Sequence, residues 1–156
     1  MEYITLGNTG LKVSRLGFGG IPIQRISKEE AAVLLRKLPE YGVNYIDTAR
    51  GYTVSEEYIG AGIEGIRDKF VLATKSMART KEAMAADIDI SLKNLRTNYI
   101  DLYQLHFVQP KDFDTIIGPE AHWKLYWKQR PQERFTTLAS LPMSLVYSKK
   151  RWNRIG

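Results

Sequence analysis

The sequence predicts an α/β fold in which parallel strands alternate with helices that pack outside the sheet. Three observations support this fold class. Short apolar segments alternate with segments whose apolar residues recur at helical spacing. The connections between these segments are short. Polar side chains stand at or just after the carboxyl ends of the apolar segments, where parallel β/α folds carry their chemistry.

The amino-terminal part predicts a hairpin, a short strand and a helix. Residues 3–6 and 11–14 are strand-like and flank a turn rich in Gly and Asn, and residues 16–19 form the first strand of the main sheet. Ser27 and Glu30 have the spacing of a capping box. The helix that they open should run to about residue 41, where Gly42 ends it, with Pro39 distorting the last turn.

Three further strands and two helices complete the predicted elements. The strands are expected at residues 43–47, 70–75 and 98–106. Ser55 is the expected cap of a helix to about residue 66, and Thr80 caps a longer one. The apolar side chains of that longer helix are spaced four, four and three apart: Met84, Ile88, Leu92 and Leu95.

The net charge of +6 is concentrated at the carboxyl end of the 156-residue chain. Residues 1–120 hold 15 Lys and Arg against 16 Asp and Glu, whereas residues 121–156 hold 8 Lys and Arg and one acid, Glu133. The body is near neutral, so we expect no nucleic-acid partner. Basic and aromatic residues crowd in 121–156 and imitate a nucleic-acid or membrane surface, but we predict that they have no such function.

The absence of cysteine excludes disulfides, thiolate metal sites and cysteine nucleophiles. The amino terminus lacks a basic run followed by an apolar stretch, so no signal peptide is expected. No apolar run approaches the roughly 20 residues needed to cross a bilayer. We therefore expect a cytoplasmic protein with no membrane partner and no metal.

Four polar side chains carry the functional signal. Asp47, Lys75 and His106 end predicted strands, and Tyr52 lies on the loop after the strand that Asp47 ends. An acid, a phenol, an amine and an imidazole from consecutive strands form a plausible proton-transfer site. Each has a simpler alternative: Asp47 as a turn cap, Tyr52 and His106 as packing residues, and Lys75 as a surface residue with a buried stem.

Five sequence strings together resemble the aldo-keto reductases, in that family's order and spacing, over about residues 3–120. They are Leu16-Gly17-Phe18-Gly19-Gly20, Asp47-Thr48-Ala49-Arg50-Gly51-Tyr52, Ser55-Glu56-Glu57-Tyr58-Ile59-Gly60, Ala73-Thr74-Lys75 and Asp101-Leu102-Tyr103-Gln104-Leu105-His106. The resemblance implies an incomplete (β/α)8 barrel of the TIM type, with the hairpin closing its bottom and four parallel strands. It also implies reduction of a small aldehyde or ketone to an alcohol, with NADPH or NADH as the cofactor.

The resemblance assigns a role to each residue of the site. It implies that Tyr52 is the general acid, that Lys75 lowers the pKa of its phenol, that Asp47 pairs with Lys75, and that His106 orients the carbonyl. Gly20, Ile21 and Asp47 become candidate cofactor contacts, although a glycine there can also serve a tight backbone approach. The family's main phosphate- and adenine-binding segments lie in the second half of the barrel and have no counterpart here.

Residues 121–156 do not continue the β/α pattern, and the genetic code suggests why. If one guanine is restored before the codon for Ala121, the pairs His122-Trp123 and Tyr126-Trp127 force Leu, and both Trp-Lys pairs force Glu. Permitted codons elsewhere give a string similar to the family's next helix and strand. We therefore divide the chain into residues 1–120, half of a barrel, and 121–156, an out-of-frame tail that ends at a chance stop.

A chain of this length also leaves a second hypothesis open. An incomplete barrel has an open edge after its fourth strand, and unpaired edge groups favour pairing with another chain. The alternative function is therefore a non-catalytic half-barrel that associates with itself. In either case we expect a chain of this span to be inactive alone.

Overall fold

The structure is a computed structural model that describes residues 1–112, 115–116 and 135–142. Two antiparallel strands, β1 (Tyr3–Thr5) and β2 (Lys12–Ser14), form the amino-terminal hairpin. The main sheet has five parallel strands in chain order. They are β3 (Phe18–Gly19), β4 (Tyr45–Asp47), β5 (Val71–Ser76), β6 (Ile100–Val108) and β7 (Phe135–Pro142).

The hairpin covers the amino-terminal end of the sheet through Asn44, the residue before β4. Asn44 Oδ1 accepts from the Ser14 backbone N–H at 2.7 Å, and Asn44 N donates to Ser14 Oγ at 3.1 Å. Its Nδ2 donates to the Lys12 carbonyl at 3.0 Å. The hairpin therefore lies at the end of the sheet opposite to Asp47, as the sequence predicts.

Helix α1 (Lys28–Lys37) begins at the predicted capping box. The Ser27 hydroxyl accepts from Glu30 N at 3.1 Å, and Glu30 Oε2 accepts from Ser27 N at 2.8 Å. A tighter 3₁₀ turn over Leu38–Tyr41 then replaces the last α-helical turn, because Pro39 cannot donate a backbone hydrogen bond. Gly42 ends the element with φ of +73°, a conformation that glycine adopts without steric cost.

Helix α2 (Ser55–Gly62) differs from its prediction at both ends. Its N-cap is Val54, without a capping side chain. The Ser55 hydroxyl instead donates to the Gly20 carbonyl at 2.8 Å and contacts Thr48 Oγ1 at 2.8 Å, so the predicted cap at Ser55 is wrong. Helix α3 (Lys81–Asn94) does begin at its predicted cap, where Thr80 Oγ1 accepts from Ala83 N at 3.3 Å.

The hydrophobic core lies between the sheet and the three helices. Burying these aliphatic side chains supplies the main driving force for packing the helices on one face of the sheet. Side chains in it that are 0–1% exposed include Leu35, Ile46, Ile59, Leu72 and Ile88. Among the described residues, no helix is long and apolar enough to cross a membrane.

Strand β7 goes beyond the four parallel strands that the sequence predicts. Its backbone pairs in parallel with β6, from Ile100 opposite Phe135 to Val108 opposite Pro142. The four predicted strands are confirmed, and the sheet has one strand more. No apolar alternation marked residues 121–156 as regular, which is why this strand was missed.

Candidate active site

The strand register puts three of the predicted side chains on one face of the sheet. Asp47 lies opposite Ala73, and Lys75 lies opposite Gln104. Side chains two residues apart on a strand share a face, so Asp47, Lys75 and His106 all point away from the helices. Each is at or near the carboxyl end of its strand, where the predicted chemistry should lie.

Lys75 is buried and paired. Its side chain is 4% exposed, and Nζ donates to Asp47 Oδ2 at 2.5 Å and to the Thr48 carbonyl at 2.8 Å. The alternative of a surface lysine therefore does not apply. Asp47 is therefore held in an ion pair with Lys75. Its carboxylate offsets the cost of burying the ammonium.

Tyr52 and His106 complete the group. The Lys75 Nζ lies 5.3 Å from the centroid of the Tyr52 ring. The Tyr52 and His106 rings meet edge to face, with centroids 5.6 Å apart and planes at 86°. The structure thus brings all four residues together at one end of the sheet.

The pKa of Tyr52 differs from expectation. Burial, followed by the negative charge of Asp47, raises the pKa of this phenol above its ordinary 10.0. The expected lowering by Lys75 is therefore wrong for this structure. The physical reason is that burial disfavours the charged phenolate and the nearby Asp47 carboxylate repels it, and both effects raise the pKa.

His106 is held in its neutral form near neutrality. Burial, then the positive charge of Lys75, lowers the pKa of the imidazole below 6.5; Asp47 opposes this effect and Arg79 adds to it. Its Nδ1 is buried and has no hydrogen-bond partner among the residues that the structure describes. A neutral imidazole keeps one N–H donor and one acceptor.

The loop that carries Tyr52 is anchored to β5. Its backbone extends the strand pairing, with Thr48 N donating to the Ala73 carbonyl and Arg50 N to the Lys75 carbonyl, both at 2.9 Å. The Arg50 side chain donates to Glu56 Oε2 at 2.9 Å. This loop and the lysine are therefore joined by backbone hydrogen bonds.

Glu56 is a buried carboxylate with a full set of donors. It is 1% exposed. Oε1 accepts from Thr74 Oγ1 at 2.8 Å and Ser91 Oγ at 2.7 Å, while Oε2 accepts from Arg50 and, at 3.3 Å, from Asn94 Nδ2. It links α2, α3, β5 and the Tyr52 loop.

Arg79 holds the end of β6. Its Nη2 donates to the carbonyls of His106 at 2.8 Å and Phe107 at 3.1 Å, and its Nε donates to Asp112 at 3.2 Å. Phe107 has φ of +55°, which is strained for a residue with a side chain. The guanidinium fixes the backbone on which the imidazole is mounted.

The sequence analysis missed Arg50, Glu56 and Arg79. A signal existed for Glu56, which precedes Ile59 by three residues and Ile63 by seven and so lies on the buried stripe of α2. The two arginines had no such signal: Arg50 lies in a loop without apolar periodicity, and Arg79 contacts Asp112 and the His106 carbonyl, which are distant in sequence.

The candidate cofactor residues divide into two kinds. Gly20 is buried, and a Cβ on it would come within 2.5 Å of Ser55 Oγ, so this glycine accommodates the protein's own chain. Ile21 is 50% exposed, and the Asp47 side chain is 33% exposed, so both remain accessible. Among the described residues, no group of three or more His, Asp or Glu could hold a metal ion.

The cations at this end of the sheet already have anionic partners. Lys75 is paired with Asp47, Arg50 with Glu56 and Arg79 with Asp112. These three side chains therefore offer no free positive charge to an anionic ligand.

Comparison with known proteins agrees with this architecture. Residues 15–137 match the model of the aldo/keto reductase family, a match that enters the segment 121–156. L-galactose dehydrogenase of Arabidopsis thaliana is 30% identical over 93% of this chain and 50% of its own length. The chain spans about half the length of this curated relative.

Two solved structures resemble the fold. A putative aldo-keto reductase from Pseudomonas aeruginosa gives a TM-score of 0.77 at 29% identity, covering 90% of this chain and 59% of that one. An aldo/keto reductase from Klebsiella pneumoniae in complex with NADP and acetate gives 0.70 at 27% identity, covering 84% and 46%.

Proposed function

The chain belongs to the aldo-keto reductase family, and on that premise we propose that it carries the proton-donating half of a nicotinamide-dependent carbonyl reductase site. The observation that carries the proposal is the buried Lys75–Asp47 ion pair beside Tyr52. The Lys75 Nζ lies 5.3 Å from the centroid of the Tyr52 ring. The substrate would be a small aldehyde or ketone and the product an alcohol.

Each side chain has a chemical task in this proposal. When bound, the reduced nicotinamide supplies the hydride. Tyr52 donates the proton to the carbonyl oxygen, and its raised pKa keeps that proton in place at neutral pH. His106, neutral at that pH, donates a hydrogen bond that orients the carbonyl. Lys75, which lies 5.3 Å from the centroid of the Tyr52 ring and is held by Asp47, supplies a positive charge beside the phenol as negative charge develops on its oxygen.

We propose that this chain alone does not catalyse carbonyl reduction. The Klebsiella pneumoniae structure is in complex with NADP, and the cofactor of the present chain would be NADPH or NADH. Because Lys75, Arg50 and Arg79 are paired with carboxylates, they provide little attraction for a pyrophosphate. The affinity for the whole dinucleotide would have to come from elsewhere.

A cofactor titration tests the proposal. We expect equilibrium dialysis to show no saturable binding of NADPH or NADH up to millimolar concentrations with the 156-residue chain. Turnover of an aldehyde by this purified chain, abolished by Tyr52→Phe, would overturn the proposed inactivity. Binding at micromolar concentrations without turnover would support an intact cofactor site and count against the proposed phosphate deficit.

The second candidate is a non-catalytic half-barrel that associates with itself. In the described part of the chain, β3 and β7 each pair on one side only. Unpaired strand edges can pair with another chain. This observation favours self-association.

The division at residue 120 is also a proposal. The out-of-frame hypothesis predicts a tail that packs poorly, whereas β7 lies beyond residue 120 and its backbone pairs with β6. The family match to residue 137 also extends past this division. Sequencing the gene decides: absence of an open aldo-keto reductase frame downstream of the codon for Glu120 would refute the out-of-frame origin.

A further inference from the structure

The loop after β4 is held by a polar network on the helix-facing side of the sheet, outside the group of four. Arg50 Nη1 donates to Glu56, and its Nε lies 3.8 Å from Asp87 Oδ1. Glu56 accepts from the Thr74 hydroxyl, and Asp87 accepts from the Ser76 hydroxyl. Thr74 and Ser76 flank Lys75 on β5, so the network is hydrogen-bonded to this strand at the residue before the lysine and at the residue after it.

Arg50 is the member that joins this network to the Tyr52 loop. Its backbone N–H donates to the Lys75 carbonyl at 2.9 Å, and Tyr52 lies two residues further on. The other donors to Glu56 come from β5 and α3, and they connect those elements without the loop. Loss of the guanidinium would therefore remove the side-chain link between the loop and this network, while the backbone hydrogen bonds of the loop and these other connections stay in place.

We propose that Arg50 is a positioning residue that fixes the Tyr52 ring against Lys75 and His106. Its side chain is 25% exposed, donates one hydrogen bond to Glu56 and lies within ion-pair distance of Asp87, so the delocalised charge of the guanidinium faces two carboxylates from different helices. The catalytic consequence rests on the proposed carbonyl reductase function, but the geometric role does not.

A competing explanation is that Arg50 merely neutralises the buried Glu56. A lone buried carboxylate is costly, whereas removing both partners of a pair can be nearly neutral. The double variant Arg50→Met with Glu56→Gln separates the two explanations. It removes the buried charge of Glu56. It also removes the side-chain hydrogen bond from Arg50 that links the Tyr52 loop to Glu56.

NMR of the 156-residue chain provides the readout, because the chain has only two histidines, His106 and His122. The His122→Gln variant assigns the imidazole signals. The Tyr52 ring stands edge to face with His106 at 5.6 Å, so its ring current contributes to the His106 shifts. Tyr52→Leu gives the shift that follows complete loss of this contact.

We expect the Arg50→Met single variant and the double variant to move the His106 signals in the direction of Tyr52→Leu and by a comparable amount. Arg50→Lys, which keeps the charge but not the fork, should move them part of the way. The matched control is Arg67→Met. The Arg67 side chain is 14% exposed, and its guanidinium lies 2.7 Å from Asp101 at the start of β5 and β6. This substitution should lower stability and leave the His106 signals unchanged.

His106 signals that stay at their wild-type positions in the double variant would overturn the positioning role. If neither methionine variant folds, wild-type signals in Arg50→Lys would overturn it equally. The measurement needs no turnover, so its failure and the failure of the proposed reductase function are separate results.

Discussion

Lys75 is a lysine that the fold buries and pairs. Its ammonium is withdrawn from water, with 4% of the side chain exposed, and its two hydrogen bonds go to Asp47 and the Thr48 carbonyl. Burying a charge is costly unless it is paired. The ion pair with Asp47 and the bond to the Thr48 carbonyl offset this cost.

At this scale the first prediction concerns Tyr52→Phe. In the frame-restored protein, loss of the phenolic hydroxyl removes the proton donor and hardly changes the shape of the site. Turnover of an aldehyde should fall by about 10²–10⁴-fold, the usual contribution of a general acid. Affinity for NADPH, measured by fluorescence titration, should be unchanged. An undiminished kcat in this variant would remove Tyr52 from the mechanism.

The second prediction concerns pH and His106. Its folded pKa lies below the unfolded 6.5, so the unfolded chain binds more protons between these values. The contribution of His106 to the free energy of unfolding should therefore be fully present above about pH 6.5. It should decline as the pH falls toward the folded pKa. Urea unfolding across this range should show a shallower decline in His106→Gln. His122→Gln is the control, and an equal change in both variants would contradict the assignment to His106.

At the scale of elements, the β4–α2 connection decides how the site is assembled. Its backbone continues the pairing of β4 with β5 beyond the strand, and its side chains enter the core on the helix side. α2 must then lie close to α3. Gly60 makes this possible, because a Cβ there would come within 2.3 Å of the Asn94 carbonyl oxygen and 2.7 Å of the Leu95 carbonyl carbon.

Gly60→Ala tests this packing. In a free helix alanine would be favourable, but here backbone atoms of α3 block its methyl group. We expect the free energy of unfolding in urea to fall by about 1–3 kcal/mol, the usual cost of overpacking. Gly51→Ala is the matched control, since nothing lies within 4 Å of its added Cβ. Equal stability of the two variants would refute the close approach.

At the scale of the whole molecule, the sheet is open where a barrel would be closed. In the described residues it begins at β3 and ends at β7, and the strands between them pair on both sides. The chain covers 50% of the Arabidopsis relative and 46% of the Klebsiella one. The local geometry of the site is therefore present without a closed barrel around it.

The open sheet predicts association in solution. Sedimentation equilibrium should give an average mass above 17.9 kDa that rises with protein concentration, because two edges can each accept another chain. A mass of one chain at every concentration would contradict this prediction. Dissociation to that mass at low concentration would confirm that the association is reversible rather than aggregation.

The sequence by itself determined the order of the elements, the capping box at Ser27 and the four polar residues of the site. These depend on local signals: turn residues, apolar spacing and positions after strands. Only the tertiary structure decided that Ser55 bonds to Gly20 rather than capping α2, and that Glu56 and Arg50 secure the Tyr52 loop. Ser55 and Gly20 are 35 residues apart, and Glu56 is held by Thr74 and Ser91 from other elements, so these partners are fixed only when strands and helices pack. The raised pKa of Tyr52 has the same origin, because burial and the charge of Asp47 act through space and not along the chain.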